Sequence, residues 1–144
     1  MHLALATLTG TGLCAMYDLR TGRIPNKITF SCILAGIVIN TWSHGFAGMR
    51  DSLHGFAVGI LLLIIPFALG GMGAGDVKML AAVGAINGSR FVFHVFLYGA
   101  VAGGVLSAFT ACKMGGYRRK MAIPYGAAIF MGTVITYLMS FGGI

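Results

Sequence analysis

The chain has 144 residues, of which 58% are hydrophobic and only 9% charged, with a formal net charge of +7. Soluble domains carry roughly 25% charged residues, so this chain cannot cover a water-facing surface and reads as an all-α, polytopic membrane protein. The 23 glycines fit that class, because glycine is commoner in membrane helices than in soluble ones. No stretch is polar enough for a separate soluble domain.

Apolar runs between charged or Gly-rich breaks predict six transmembrane helices, spanning 2–17, 28–43, 52–70, 76–89, 91–111 and 122–141. Periodicity does not refine these bounds, because the runs are apolar nearly all round. The first run opens on Met1-His2-Leu3. It lacks the basic region that precedes a secretory signal, so it reads as a retained helix, ending at Asp18. Pro25 and Asn26 start the second helix. Pro66 predicts a kink near the end of the third. Gly55-x-x-x-Gly59, Gly84-x-x-x-Gly88 and Gly99-x-x-x-Gly103 are spaced for close helix contacts.

The basic residues orient these runs. Arg20, Arg23 and Lys27 follow the first, Lys78 lies near the start of the fourth, and Lys113, Arg118, Arg119 and Lys120 join the fifth to the sixth. Only Arg50 and Arg90 fall on the other side. The positive-inside rule then puts both termini outside and the three basic connections in the cytoplasm. The positive charge thus reads as a topology signal that meets anionic lipid, not as a nucleic-acid footprint. Cys14, Cys32 and Cys112 form no C-x-x-C and read as small buried hydrophobes.

The chain has no glutamate and three aspartates, Asp18, Asp51 and Asp76. Two crossings separate Asp18 from Asp76, so both return to the cytoplasmic side, while Asp51 lies opposite. A bilayer core needs roughly 20 helical residues, and the runs attached to Asp18 and Asp76 are shorter. Both carboxylates are therefore expected below the membrane surface, where ionisable groups mark function. Gly70-Gly71-Met72-Gly73-Ala74-Gly75 precedes Asp76 and is a poor helix former. Irregular backbone at that depth belongs beside protein or a wet cavity, and glycines let a substrate's backbone come close.

Two carboxylates suffice for peptide hydrolysis. One takes a proton from water, and the other polarises the scissile carbonyl and assists the leaving amine. Held close, they share one proton and titrate as a unit. The plainer alternatives are that Asp76 caps its helix and that Asp18 pairs with Arg20 or Arg23. His2, His44, His54 and His94 fall on the outer side, and neither H-E-x-x-H nor G-x-S-x-G occurs. Lys78, two residues beyond Asp76, reads as a topology anchor on another helix face.

Three segments carry a family resemblance. Tyr17-Asp18-Leu19-Arg20 with Ile24-Pro25-Asn26, then Gly70-Gly71-Met72-Gly73-Ala74-Gly75-Asp76-Val77-Lys78, then Pro124-Tyr125-Gly126-Ala127-Ala128-Ile129 resemble the type IV prepilin peptidases, GxGD aspartyl proteases. The resemblance spans roughly residues 10–135. It implies removal of a basic leader from a prepilin-like membrane protein at the cytoplasmic face of the inner membrane. It makes Asp18 and Asp76 catalytic and gives loop-shaping or substrate-binding roles to Gly73, Gly75, Lys78, Pro124, Tyr125 and Gly126. No metal or organic cofactor is implied, and self-association is left open. Larger members carry an insertion with two C-x-x-C pairs and also N-methylate the new terminus. This chain lacks those cysteines, so residues 1–144 are expected to form one peptidase domain, similar to the short Flp/Tad type. The rival readings are a small ion or proton-coupled transporter using Asp18 and Asp76, and a non-catalytic pilus scaffold.

Overall fold

The computed structural model describes residues 2–113 and 125–141. Every regular element among the described residues is helical: α1 (His2–Thr21), α2 (Asn26–Ala68), α3 (Ala74–Asn87), α4 (Ser89–Lys113) and α5 (Tyr125–Phe141). Pro124 and the Arg118-Arg119-Lys120 cluster lie outside the described residues.

The second and third predicted helices are the two arms of α2. Gly45 breaks it at φ 62° and ψ −142°, a left-handed conformation that glycine adopts without a steric penalty. The arms fold back on each other. Asn40 Nδ2 donates to Ser52 Oγ at 2.9 Å, and Ser52 Oγ donates to Gly36 O at 3.4 Å. A Cβ on Gly48 would collide with Asn40 O. The second arm begins before Arg50 and Asp51 rather than at residue 52, because one glycine is enough to reverse the chain. Pro66 lies in its last turn, where backbone angles stay helical; the kink is at Gly45 instead.

The core helix is α3. From Met79 to Ile86 every residue is buried, as expected of a helix that is apolar all round. It packs on α1, α2, α4 and α5, most extensively on α2. That contact runs through the small-residue motifs: a Cβ on Gly55 or on Gly84 would strike the other's carbonyl oxygen, and Gly59 faces Ala81. Gly99 and Gly132 bring α4 and α5 together in the same way. Asn40 also closes the end of α3, donating to Ala85 O at 3.2 Å and Ile86 O at 2.9 Å. Those carbonyls have no partner within their own helix.

Apolar side chains cover the outside. Leu34, Phe46, Leu61, Ile65 and Leu69 are exposed, and Trp42 is 91% exposed. Thr7, Thr11, Ser52, Thr133 and Thr136 are buried instead. Thr11, Thr133 and Thr136 donate to carbonyls one turn back in their own helices, which satisfies the buried hydroxyls. An outer face so apolar is far larger than the isolated patches of soluble proteins and suits a lipid surround. By length and composition α2 can cross a membrane.

Candidate active site

The two aspartates are placed by helix ends. Asp18 lies in the last turn of α1, which closes when Gly22 N–H donates to Asp18 O at 2.8 Å. Gly22 holds φ +62° there, the left-handed conformation typical of a helix C-cap. The half-buried Asp18 side chain faces the first turn of α5, where Gly126 N–H donates to Oδ2 at 3.0 Å. Helix N-termini present free N–H groups and positive dipole ends, so a carboxylate is well placed there. Only glycine allows this approach: a Cβ at 126 would sit 2.8 Å from Asp18 Oδ2. Among the described residues Asp18 makes no ion pair. The one salt bridge among the described residues is Arg50–Asp51 at 3.9 Å, exposed at the other end of the bundle.

Asp76 is the third residue of α3, not its first. The helix starts at Ala74, with Gly73 as N-cap. Asp76 Oδ2 accepts from Gly73 N–H at 3.1 Å, and Asp76 N–H donates to Gly73 O at 3.1 Å. The capping role is therefore real, but it occupies only one carboxyl oxygen. Oδ1 is buried with no hydrogen-bond partner, and the residue as a whole is 7% exposed. Buried polar atoms are nearly always paired, so this free oxygen is the local anomaly.

Both carboxylates border one cavity of about 340 Å³, also lined by Arg23, Ile24, Asn26, Gly73, Gly75 and Lys78. They are not hydrogen-bonded to each other, but face the same space. Gly73 is exposed at the mouth of the cavity. Gly75 packs on Ile24, with room for no more than hydrogen: a Cβ would come within 2.9 Å of Ile24 Cβ. That contact fixes α3 against the start of α2.

Lys78 does not point away. It lines the same cavity, donates to Asn26 Oδ1 at 3.0 Å, and lies 5.9 Å from the centre of the Phe30 ring. Two residues do separate faces on a helix, but near a helix end a long side chain reaches the neighbouring element. Tyr125 turns elsewhere, lining a small apolar cavity of about 30 Å³ with Leu63, Leu80 and Phe96. The part of Asn26 was underweighted by sequence; Pro25-Asn26 was the available signal. His44 borders the opposite end of the bundle, and His94 Nδ1 sits 2.8 Å from Arg90 O.

Residues 5–108 match the type IV leader peptidase family. The chain belongs to that family. Among curated proteins, the chain is similar to the prepilin leader peptidase/N-methyltransferase of Burkholderia pseudomallei (strain 1026b), 32% identical over 93% of this chain and 50% of that protein. The protein of the same name from Bacillus subtilis (strain 168) is 28% identical over 88% of this chain and 51% of its own length. That from Stutzerimonas stutzeri is 30% identical over 78% and 40%. The chain thus spans about half the length of the curated relatives it matches. No solved structure matches it significantly.

Proposed function

We propose that this chain is an intramembrane aspartyl endopeptidase that removes the basic leader of prepilin-like precursors at the cytoplasmic face of the inner membrane. The observation that carries the reading is the pair Asp18 and Asp76 on one cavity wall, with Asp76 Oδ1 buried and unclaimed. Each carboxyl keeps one backbone donor, Gly126 N–H or Gly73 N–H, and so is held in place with an oxygen to spare.

The substrate peptide enters beside the exposed Gly73, where the missing side chain leaves its backbone room to approach. The pair shares one proton. The ionised carboxyl takes a proton from water, which attacks the scissile carbonyl carbon. The protonated carboxyl donates to the carbonyl oxygen, giving a tetrahedral diol. Collapse of the diol breaks the C–N bond, with a proton delivered to the departing amine. Asn26 holds the Lys78 ammonium at the rim, which keeps that cation off the carboxylates. The curated relatives pair peptidase with N-methyltransferase in their names; the reading here covers the peptidase step alone.

The test is direct. The purified chain in liposomes is mixed with a precursor bearing a short basic leader ahead of an apolar helix, and the products are weighed by mass spectrometry. One cut ahead of the apolar helix is expected. An intact precursor beside demonstrably folded protein would sink the reading.

A further inference from the structure

Far from the aspartates, three polar side chains meet in the apolar interior. Asn87 Nδ2 donates to Thr7 Oγ1 at 2.8 Å. The Tyr137 hydroxyl lies 2.5 Å from Asn87 Oδ1 and 3.1 Å from Thr7 Oγ1, and donates between them. The Thr7 hydroxyl proton goes to Leu3 O at 2.7 Å, so its oxygen is an acceptor for both neighbours. Thr7 is 1% exposed. Polar groups in such surroundings are costly unless paired, and paired they tie helices together.

The three residues come from α1, α3 and α5, the helices that also supply Asp18, Asp76 and Gly126. Thr7 precedes Asp18 by eleven residues, Asn87 follows Asp76 by eleven, and Tyr137 follows Gly126 by eleven. Eleven residues make about three helical turns and a rise of about 16 Å. Each member of the triangle therefore lies on the same helix face as its site residue, at one common distance along the bundle. A slip or rotation of any one helix would break the triangle and move a site residue together.

We propose that Thr7, Asn87 and Tyr137 are positioning residues whose hydrogen-bonded triangle sets the register of α1, α3 and α5, and with it the placement of Asp18 against Asp76 and Gly126. The consequence for cleavage rests on the peptidase reading above; the consequence for register does not. Coupling over this span needs only that the three helices stay rigid, and all three run unbroken between their two contacts. Tyr137→Phe removes the hydroxyl and keeps the ring that packs on Phe91 at 4.5 Å between centroids. Thr7→Val removes the other hydroxyl at nearly constant volume.

Two readouts test this. Spin labels at positions 19 and 74, on a background without the native cysteines, report the spacing of α1 and α3 beside the site by pulsed EPR. The expected result is a shifted or broadened distance distribution in Tyr137→Phe and Thr7→Val, with Thr7→Ser restoring the wild-type one. In unlabelled protein, kcat per folded molecule should fall roughly tenfold with KM unchanged, and the double variant should lose little more than either single one. Unchanged distances with unchanged kcat per folded molecule, only thermal stability having dropped, would overturn the proposal. If the wild type cleaves nothing, the peptidase reading fails, and the distance measurement still decides the register claim.

Discussion

At one end of the bundle Asp18 and Asp76 border a cavity of about 340 Å³. At the other end a larger one, about 540 Å³, is bordered by Asn40, His44, Asp51, Ser52, Asn87 and Arg90. The larger is richer in polar residues, yet several of its groups answer one another. Asn40 serves Ser52 and two carbonyls of α3, Asn87 serves Thr7 and Tyr137, and Asp51 has Arg50 beside it in solvent. The smaller cavity keeps a buried carboxyl oxygen with no partner. Leaving a buried acceptor unpaired costs about 1–3 kcal/mol, a cost that chemistry explains better than folding does. Unmet valence, not volume or polarity, distinguishes the two ends.

Substitutions at the two ends should therefore differ sharply. Asp76→Asn and Asp18→Asn keep shape and remove the exchangeable proton, so each should lower cleavage by at least about 10³-fold while circular dichroism stays unchanged. Gly126→Ala comes next. Its Cβ would fall 2.8 Å from Asp18 Oδ2, so the carboxyl must move and kcat should drop roughly 10- to 100-fold, with the thermal midpoint less affected. Gly84→Ala would instead press a methyl on the Gly55 carbonyl. Backbone against backbone cannot yield easily, so a loss of about 1–3 kcal/mol of stability is expected, read from thermal unfolding in detergent.

Smaller effects bracket the comparison. Lys78→Met breaks the bond to Asn26, and a loss of roughly two- to tenfold in kcat/KM is expected. His44→Ala and Asp51→Asn alter the larger cavity alone and should leave cleavage within about twofold. A large loss from either would mean that the two ends are coupled through groups other than the Thr7–Asn87–Tyr137 triangle.

The helical runs and the two aspartates were legible in sequence for a simple reason. In a chain this apolar, every charge interrupts a pattern. Asp18 and Asp76 stood out because so few carboxylates compete with them. Gly73, Gly75 and Gly126 were legible as motif members, and at Gly75 and Gly126 the structure shows a contact that a Cβ would spoil. What sequence missed depends on which elements come to lie side by side. Gly45 looked like one more glycine in a polar break, yet it alone reverses α2. Lys78 was assigned by helix geometry to another face, because the approach of Asn26 and Phe30 from α2 is a tertiary event. Thr7, Asn87 and Tyr137 lay unremarked in three separate apolar runs; only packing makes them one network. Pro124 lies outside the described residues, and Tyr125 faces α4 rather than the aspartates.

The central claim is that Asp18 and Asp76 act as one catalytic unit, and the most direct measurement compares three variants on one prepilin-like substrate. Initial cleavage rates would be taken for Asp18→Asn, Asp76→Asn and the double variant, each corrected for folded protein. Residues that act as a unit are grossly non-additive, so all three should be equally inactive, at the uncatalysed background. Full cleavage by either single variant, or losses that multiply in the double, would contradict the claim.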